Sequence, residues 1–489
     1  QARALPGIKR VLVASGLRLY AGNAIGSAFN HLETSVTTLT AQAISGAVFL
    51  GETAGLLVDS LTVEAQRVSS NATSSSTTYG QQSGLGAGGN LVLLVNSGDL
   101  TLSDDVAAGG KLLLQVAGAM TLNNPVSSGE AASLIVGGQF SQKADITSGA
   151  SLDVQAGSGI TMNNGADSIA ADSIRYTTPG AMTVGSLSSG NDISVTASKL
   201  TDSGSIDTDF TGDSLRIVTT GLAAGDGVGT TTQHLKLAVN RLAAQVPGAG
   251  GLFLDEADAI EIGATGAISV TRVAGTASVS TVTDASLDRL VSAGALTLTS
   301  QAGSITTLSS GAVSAAGNLL LQAGGSASDL TLGAAVSNSA GHTSLNAGRD
   351  LIGNADITNS AEGKTLDLMA GRHVLMAEGA DLVTHNANIV VNAVGGDLTL
   401  EWLDAGGGNA ALLAAGAILD QDGAGDSGLD VLANSLRLTA GGAIGQALNP
   451  LEISVATLTG SAQGGGLYLT ESTGLLVDTL AVEDRKSVV

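Results

Sequence analysis

A short phrase recurs at nearly fixed spacing along this chain and constrains its fold more than any other feature of the sequence. Leu100, Met120, Phe140 and Ile160 lie 20 residues apart, and each follows a small or glycine-containing turn. Equivalent positions continue further along, about 20 to 25 residues apart where they are consecutive, at Met182, Leu330, Leu351, Val374, Leu398 and Ile418. Such spacing is typical of one small supersecondary unit that is used many times.

Apolar and polar residues alternate in short runs within each repeat. The run 91–95 is followed by the run 100–102, and Gly, Ser, Asn or Asp separate such runs. Alternation with period two predicts strands, and the breaks predict turns. Stacked coils bury a continuous apolar column that one coil alone cannot bury. The sequence therefore predicts an all-β, right-handed parallel β-helix with about 20 to 25 residues per coil and almost no α-helix, the hand following from parallel crossovers.

A longer repeat sets the predicted organisation. The segment that begins at Leu17 recurs without a gap from Leu436, an offset of 419 residues from position 17 to position 436, and a diverged copy begins at Leu215. Residues 66–89 are rich in Ser, Thr and Gly, which is typical of a flexible loop or joint. The predicted organisation is the end of one solenoid module over 1–65, a loop or joint over 66–89, a second module over 90–262 with the LRI motif near 215, and a third over 263–489.

Composition excludes several classes of function. Among 489 residues, 43 Asp and Glu oppose 20 Lys and Arg, giving a formal net charge of −23, which repels nucleic acids and anionic membranes. The chain contains no cysteine, which excludes disulfides. It also contains no run of 18 apolar residues of the kind that could span a membrane. Aromatic residues make up only 2% of the chain, too few for the core of a large compact enzyme.

Charged residues recur in all three copies of the long repeat, namely Glu52, Glu256 and Glu471, and Arg18, Arg216 and Arg437. Similar coils repeat their outward-facing turn and salt-bridge residues, so we interpret these positions as structural rather than as ligand sites. Surface pairs of this kind contribute little stability. The acidic run 255–258 is likewise interpreted as solvated turn residues.

One segment has the spacing of an oxygen-rich calcium loop. Asp420, Asp422 and Asp426 alternate with Gly and small residues, and alternate carboxylates of this kind can converge on a hard cation. The loop lacks a bidentate Glu at the usual distance, so an ordinary Asp/Gly turn is the alternative. These three residues are the candidate metal ligands, calcium is the only cofactor considered, and no catalytic residue is assigned.

The phrases GDLTL, LRLTAGGAIG and NANIVVNA, in a long cysteine-free array, resemble the repeats of filamentous-haemagglutinin-like bacterial surface proteins. These are large exported adhesins of two-partner secretion and related giant surface proteins. The resemblance covers essentially the whole chain and rests on the style of the repeats. It implies a right-handed β-helix, a location outside the cell or on its outer membrane, and a role as the shaft of an adhesive fibre.

The sequence thus predicts a structural or adhesive segment of a long secreted or cell-surface fibre, and not an enzyme. Its expected partners are cell surfaces, extracellular matrix or other copies of itself, without nucleic acid or membrane insertion. One alternative is a subunit of a self-assembling extracellular filament or sheath. Another is a carbohydrate-active β-helix enzyme, which would need clustered carboxylates beside basic and aromatic groups.

Overall fold

The computed structural model describes residues 12–204, 206–423, 425, 427–480 and 482. This part of the chain is a parallel β-solenoid of about 21 turns with about 22 residues per turn, and it contains no helix. The chain divides into two units. The first comprises the residues up to Asp213 together with Ala267–Ala285, and the second comprises Ser214–Gly266 together with the residues from Ser286 onward.

The strands of the solenoid are short and follow one another closely. Up to Asp202 they are β1 (Leu12–Ala21), β2 (Leu32–Ala43), β3 (Val48–Glu52), β4 (Leu56–Val58), β5 (Leu61–Val68), β6 (Ser74–Gln82), β7 (Leu85–Ala87), β8 (Leu91–Val95), β9 (Leu100–Leu102), β10 (Val106–Ala108), β11 (Leu112–Val116), β12 (Met120–Leu122), β13 (Val126–Ser128), β14 (Ala132–Val136), β15 (Gln139–Gln142), β16 (Ile146–Ser148), β17 (Leu152–Ala156), β18 (Gly159–Met162), β19 (Asp167–Ala170), β20 (Ile174–Thr177), β21 (Ala181–Val184), β22 (Ser186–Ser189), β23 (Ile193–Ala197) and β24 (Lys199–Asp202).

Further strands continue the same pattern. They are β25 (Phe210–Thr219), β26 (Gly227–Val228), β27 (Leu235–Val246), β28 (Gly251–Glu256), β29 (Ile260–Ile262), β30 (Ile268–Val273), β31 (Val279–Asp284), β32 (Leu290–Ser292), β33 (Leu296–Ser300), β34 (Ile305–Thr307), β35 (Val313–Ala315), β36 (Leu319–Ala323), β37 (Leu330–Leu332), β38 (Val336–Asn338), β39 (Thr343–Ala347), β40 (Leu351–Gly353), β41 (Ile357–Asn359), β42 (Leu366–Ala370), β43 (Val374–Met376), β44 (Asp381–Thr384), β45 (Ile389–Ala393), β46 (Leu398–Leu400), β47 (Trp402–Asp404), β48 (Asn409–Ala414), β49 (Ile418–Asp420), β50 (Val431–Ala440), β51 (Leu451–Ala462), β52 (Leu469–Glu471) and β53 (Leu476–Val477).

Each regular turn contributes one strand to each of three parallel sheets. In the turn β8–β9–β10, the strands pair in register with β11, β12 and β13 of the next turn, so that Leu93 lies beside Leu114 and Leu100 beside Met120. These four side chains are completely buried. Alternating residues point inward, and stacking the turns therefore buries them in one column. The predicted parallel β-solenoid fold is confirmed.

All three copies of the long repeat pair in the same way. In the first copy Leu32 pairs with Leu50, and in the last copy Leu451 pairs with Leu469. The diverged copy that begins at Leu215 has the corresponding parallel pairing of β27 with β28. Residues that lie 419 positions apart in the sequence therefore occupy equivalent positions in the first and last copies of the repeat.

A glycine in each copy is required by the backbone. Gly26, Gly229 and Gly445 have φ angles of 70°, 66° and 63°. A Cβ at Gly26 would lie 2.3 Å from the carbonyl oxygen of Phe49, and one at Gly445 would lie 2.3 Å from that of Tyr468. A side chain at these positions would be strained by both the left-handed backbone and the neighbouring turn.

The segment 66–89 differs from the flexible loop or joint predicted for it. β5 and β6 form an antiparallel hairpin there, and β7 rejoins the solenoid. Alternation of apolar residues is weak because most of the hairpin side chains are exposed, so that little selects for apolar residues. Backbone pairing nevertheless suits the β-branched Thr residues of this segment.

A second hairpin, β30–β31, belongs to the first unit and packs against the outer side of its first sheet. Val273 and Ala277 lie in an apolar cluster with Phe49, Val92 and Leu113. The backbone N–H of Val273 donates to Ser133 Oγ at 2.9 Å, and that of Thr271 donates to Ser151 Oγ at 2.8 Å.

Ion pairs hold this hairpin on the sheet. The fully buried carboxylate of Asp153 accepts hydrogen bonds from Arg272 Nε at 2.6 Å and from Arg175 Nη1 at 3.3 Å. Arg175 Nε also donates to Asp284 on the second hairpin strand, at 3.1 Å. Asp153 thus joins one guanidinium of the hairpin and one of the sheet.

Candidate functional site

Three carboxylates converge where β49 ends and where β50 and β51 begin. One oxygen from each of Asp420, Asp430 and Glu452 lies within 4.8 Å of the other two. The backbone N–H of Glu452 donates to Asp430 Oδ2 at 2.7 Å, and only 1% of Asp430 is exposed. Burial first, and then the neighbouring carboxylates, raise the pKa of Asp430 above its usual range. A group of this kind can share a proton or hold a hard cation.

The candidate calcium ligands are only partly brought together. Asp420 belongs to the carboxylate cluster, whereas Asp422 follows it in a turn and donates its backbone N–H to Asp420 Oδ1 at 2.9 Å. Asn449 Nδ2 donates to Asp420 Oδ2 and to the Asp422 carbonyl, at 2.8 Å each. Asp426 lies outside the described residues. Calcium binding stays a prediction.

Sequence reasoning missed Asp430 and Glu452. They lie 22 residues apart, which equals one turn of the solenoid. Residues one turn apart stack on each other, so this spacing indicates that the two carboxyl groups lie close together. A search for acidic residues separated by one turn would have found the pair.

The recurring glutamates are not the outward-facing residues that the sequence predicted. Glu52 and Glu256 are completely buried, and Glu471 is half-buried. Each occupies the last position of a first-sheet strand, where the alternation directs side chains inward. The prediction that Glu256 is a solvated turn residue is wrong, whereas Asp258 is exposed.

Each buried glutamate accepts hydrogen bonds from the preceding turn of the solenoid. Glu52 Oε2 accepts from Thr34 Oγ1 at 2.7 Å and from the Val36 N–H at 3.2 Å, both on the preceding turn. Its Oε1 accepts from the N–H groups of Thr53 and Ala54 at 2.8 and 3.1 Å. The carboxylate therefore has a structural role, closing the corner after the strand.

Glu256 makes a similar but weaker set of contacts. It accepts from the N–H groups of Val239, Ala257 and Asp258 at 3.4, 2.9 and 3.4 Å. The position of Thr34 is taken by Leu237, which has no hydroxyl to donate. Burial outweighs these hydrogen bonds and raises the pKa of Glu256 to about 7.

This pKa predicts a pH dependence of stability. Because the folded state binds the Glu256 proton more tightly than the unfolded state, the stability that this group contributes is greatest below about pH 4.5 and falls as the pH rises to about 7. The loss is about 3 kcal/mol over that window. Denaturant unfolding from pH 4.5 to 8 should show this slope, and Glu256→Gln should reduce it, leaving the part that the raised pKa of Asp430 contributes. An unchanged slope in the variant would assign the titration to another group.

The recurring arginines Arg18, Arg216 and Arg437 are half-buried at equivalent outer positions of their strands. Asp255 accepts from His234 Nδ1 at 2.8 Å and from Thr299 Oγ1 at 2.5 Å. These contacts join adjacent turns. They are consistent with the structural interpretation of the acidic run, apart from the buried Glu256.

Each unit carries an open groove across several turns. The groove of the second unit has a volume of about 440 Å³ and is lined by Ser, Thr, Asn, Gln and small apolar residues, including Ser292, Ser314 and Asn338. That of the first unit has about 370 Å³ and includes Gln115 and Gln155. The described residues that line these two grooves supply hydrogen-bonding groups but no carboxylate, imidazole or amine.

No protein-family model matches this chain, and no match was found among the curated proteins or the solved structures. Within the described residues, no helix has the length and apolar character needed to cross a membrane.

Proposed function

We propose that this chain is a structural segment of a long secreted or cell-surface bacterial fibre. The observation that supports this most directly is the identical pairing of the repeat copies, such as Leu32 with Leu50 and Leu451 with Leu469. Turns that pair identically are interchangeable, and adding turns extends a stack without changing its cross-section. Each added turn contributes about 4.8 Å. A spacer or shaft needs this property.

The surface chemistry suits an exposed fibre. Ser, Thr, Asn and Gln side chains line the grooves, and the net charge of −23 keeps copies soluble. Weak contacts with cell surfaces or extracellular matrix along such a surface would make the shaft adhesive. The grooves offer no acid/base pair, so we propose no enzymatic activity. The resemblance to filamentous-haemagglutinin-like repeats supports the same function and location.

The shaft proposal predicts tolerance to loss of whole turns. Leu296 and Ile389 begin equivalent first-sheet strands four turns apart, so deleting 296–388 rejoins the chain in register. We expect this variant to remain folded, with the second unit shorter by four turns, or about 19 Å along its stack, and with a smaller radius of gyration in small-angle scattering.

Deletion of 296–376 is the matched control because it joins β32 directly to β44, two strands of the same sheet, and so omits the first-sheet and second-sheet strands that must lie between them. This variant should lose cooperative unfolding in circular dichroism. Collapse of the four-turn deletion as well would contradict the shaft proposal. Adhesion is tested separately by retention of beads coated with the full chain on cells and on matrix proteins, and no retention would remove the adhesive part of the proposal.

A further inference from the structure

Both hairpins are inserted at the same point of the long repeat. β5–β6 follows β4 and precedes β7, whereas β30–β31 follows β29 and precedes β32. β4 pairs with β2 as β29 pairs with β27. The two hairpins are therefore equivalent parts of two copies of the repeat.

Their local structures agree residue by residue. Arg67-Val68 corresponds to Arg272-Val273, and the turns that follow contain Ala72 and Ala277 with φ angles of 62° and 58°. The N–H of Ala72 donates to the Ser69 carbonyl at 2.9 Å, and that of Ala277 donates to the Ala274 carbonyl at 2.8 Å. Val63 pairs with Tyr79 as Ile268 pairs with Asp284.

The equivalent apolar residues differ in exposure. Ile268 and Val273 of the second hairpin are only 1% and 2% exposed, and Val273 packs in the apolar cluster on the first sheet. The equivalent Val63 and Val68 of the first hairpin are 39% and 69% exposed. The first hairpin thus exposes apolar residues whose counterparts in the second hairpin are buried.

The second unit repeats the surface on which the second hairpin lies. In the first unit, the outward residues of successive first-sheet strands are Phe49, Val92, Leu113, Ser133 and Asp153. In the second unit, starting from the equivalent strand, they are Phe253, Thr297, Leu320, Ser344 and Asp367. We call this second series the docking face. The two series have the same residue types, Phe, Leu, Ser and Asp, at four of the five equivalent positions. At the remaining position Thr297 replaces the apolar Val92.

Exposure distinguishes the two surfaces. The five residues of the first unit are all buried beneath the hairpin. On the docking face, Phe253 is buried within its own unit, but the four residues from Thr297 to Asp367 are each half-buried. The docking face therefore has solvent contact where its counterpart has a hairpin.

The residue one turn further along each series differs between the two surfaces, and each residue fits a different hairpin. In the first unit it is Arg175, which pairs with Asp284 of the docked hairpin. On the docking face it is Val390, and the residue equivalent to Asp284 on the first hairpin is Tyr79, 48% exposed. A charged pair in one case corresponds to an apolar pair in the other, so the docking face matches β5–β6 better than it matches β30–β31.

We propose that the docking face binds the β5–β6 hairpin of a second copy of this chain. Arg67 then lies at Asp367, Val68 near Leu320, and Tyr79 against Val390. Asp153 accepts two guanidinium groups at once, so Asp367 can accept Arg67 in addition to its contacts within its own chain. Because the hairpin and the face are different surfaces, the contact is head-to-tail and joins further copies. This assembly does not depend on adhesion.

Disulfide trapping tests the contact directly, because the chain contains no cysteine. Val273 donates its N–H to Ser133, and the equivalent pair between copies is Val68 and Ser344. We expect a mixture of full chains carrying Val68→Cys alone and Ser344→Cys alone to form the mixed disulfide under mild oxidation. Leu222→Cys, at a residue 78% exposed, replaces Ser344→Cys in the control mixture and should not cross-link above background.

Charge reversal supplies a second, independent measurement. Arg67→Glu and Asp367→Arg should each weaken self-association in sedimentation equilibrium by about 10-fold, and the double variant should recover most of the loss. Arg67 lies on the exposed hairpin, so its replacement leaves the solenoid folded. Monomers at all concentrations, or no mixed disulfide above the background of the Leu222→Cys control, would overturn the proposal, whereas tolerance to turn deletion would be unaffected.

Discussion

Replacing Asp153 by alanine is expected to reduce stability of the first unit by about 3–5 kcal/mol. The carboxylate is completely buried, and it pairs with Arg175 on the sheet and Arg272 on the hairpin. Its removal leaves two guanidinium groups beside each other in a partly buried site without their shared counter-charge. The hairpin 267–285 should then detach from the sheet.

Hydrogen exchange measures this detachment locally. The N–H groups of Thr271 and Val273 donate to serine side chains of the sheet, and peptides containing them should lose protection in Asp153→Ala. Asp288→Ala is the matched control, because Asp288 forms an exposed ion pair with Arg289 and should cost less than about 0.5 kcal/mol. Equal effects of the two substitutions would show that the hairpin does not depend on the buried pair.

A comparable loss, about 3–4 kcal/mol, is expected for Glu52→Ala. The substitution removes the acceptor for the Thr34 hydroxyl and for the Val36 N–H, which are both buried, and buried donors without acceptors are costly. The N–H groups of the exposed residues Thr53 and Ala54 also lose this acceptor. Denaturant unfolding followed by circular dichroism at pH 7 gives the change in the free energy of unfolding.

Glu471→Ala provides the control for this substitution within the same motif. Glu471 is half-buried, and the position of Thr34 is occupied by Ile453, so fewer buried groups lose a partner. Its effect should be less than half that of Glu52→Ala. If both variants lost equal stability, burial of the carboxylate would not be the cause.

The regular turns were predictable because their spacing is nearly constant. Leu100, Met120 and Phe140 are 20 residues apart, and the structure stacks them in register in the second sheet. The charge of Glu52 predicts an outward-facing side chain, whereas the alternation of its strand directs Val48, Leu50 and residue 52 to the same inner side. Alternation was the better guide, since hydrogen bonds from the neighbouring turn compensate the buried charge.

The hairpins and the carboxylate cluster were harder to predict. β5–β6 has little apolar alternation because most of its side chains are exposed, and β30–β31 contacts residues more than 100 positions away in sequence. For the cluster, the calcium-like spacing predicts Asp420 and Asp422 as neighbours in one site, whereas the carboxylates beside Asp420 come from later strands. Contacts of this kind depend on how many residues each intervening turn contains, which composition does not determine.

The equivalence of the segments 12–58 and 431–477 has a genetic consequence. Their strands pair identically, and 419 residues separate corresponding positions. Unequal crossing-over between the two stretches of coding sequence would therefore gain or lose a complete set of turns while preserving every register. The gene can thus change the length of its product in one recombination event, without passing through a misfolded intermediate length.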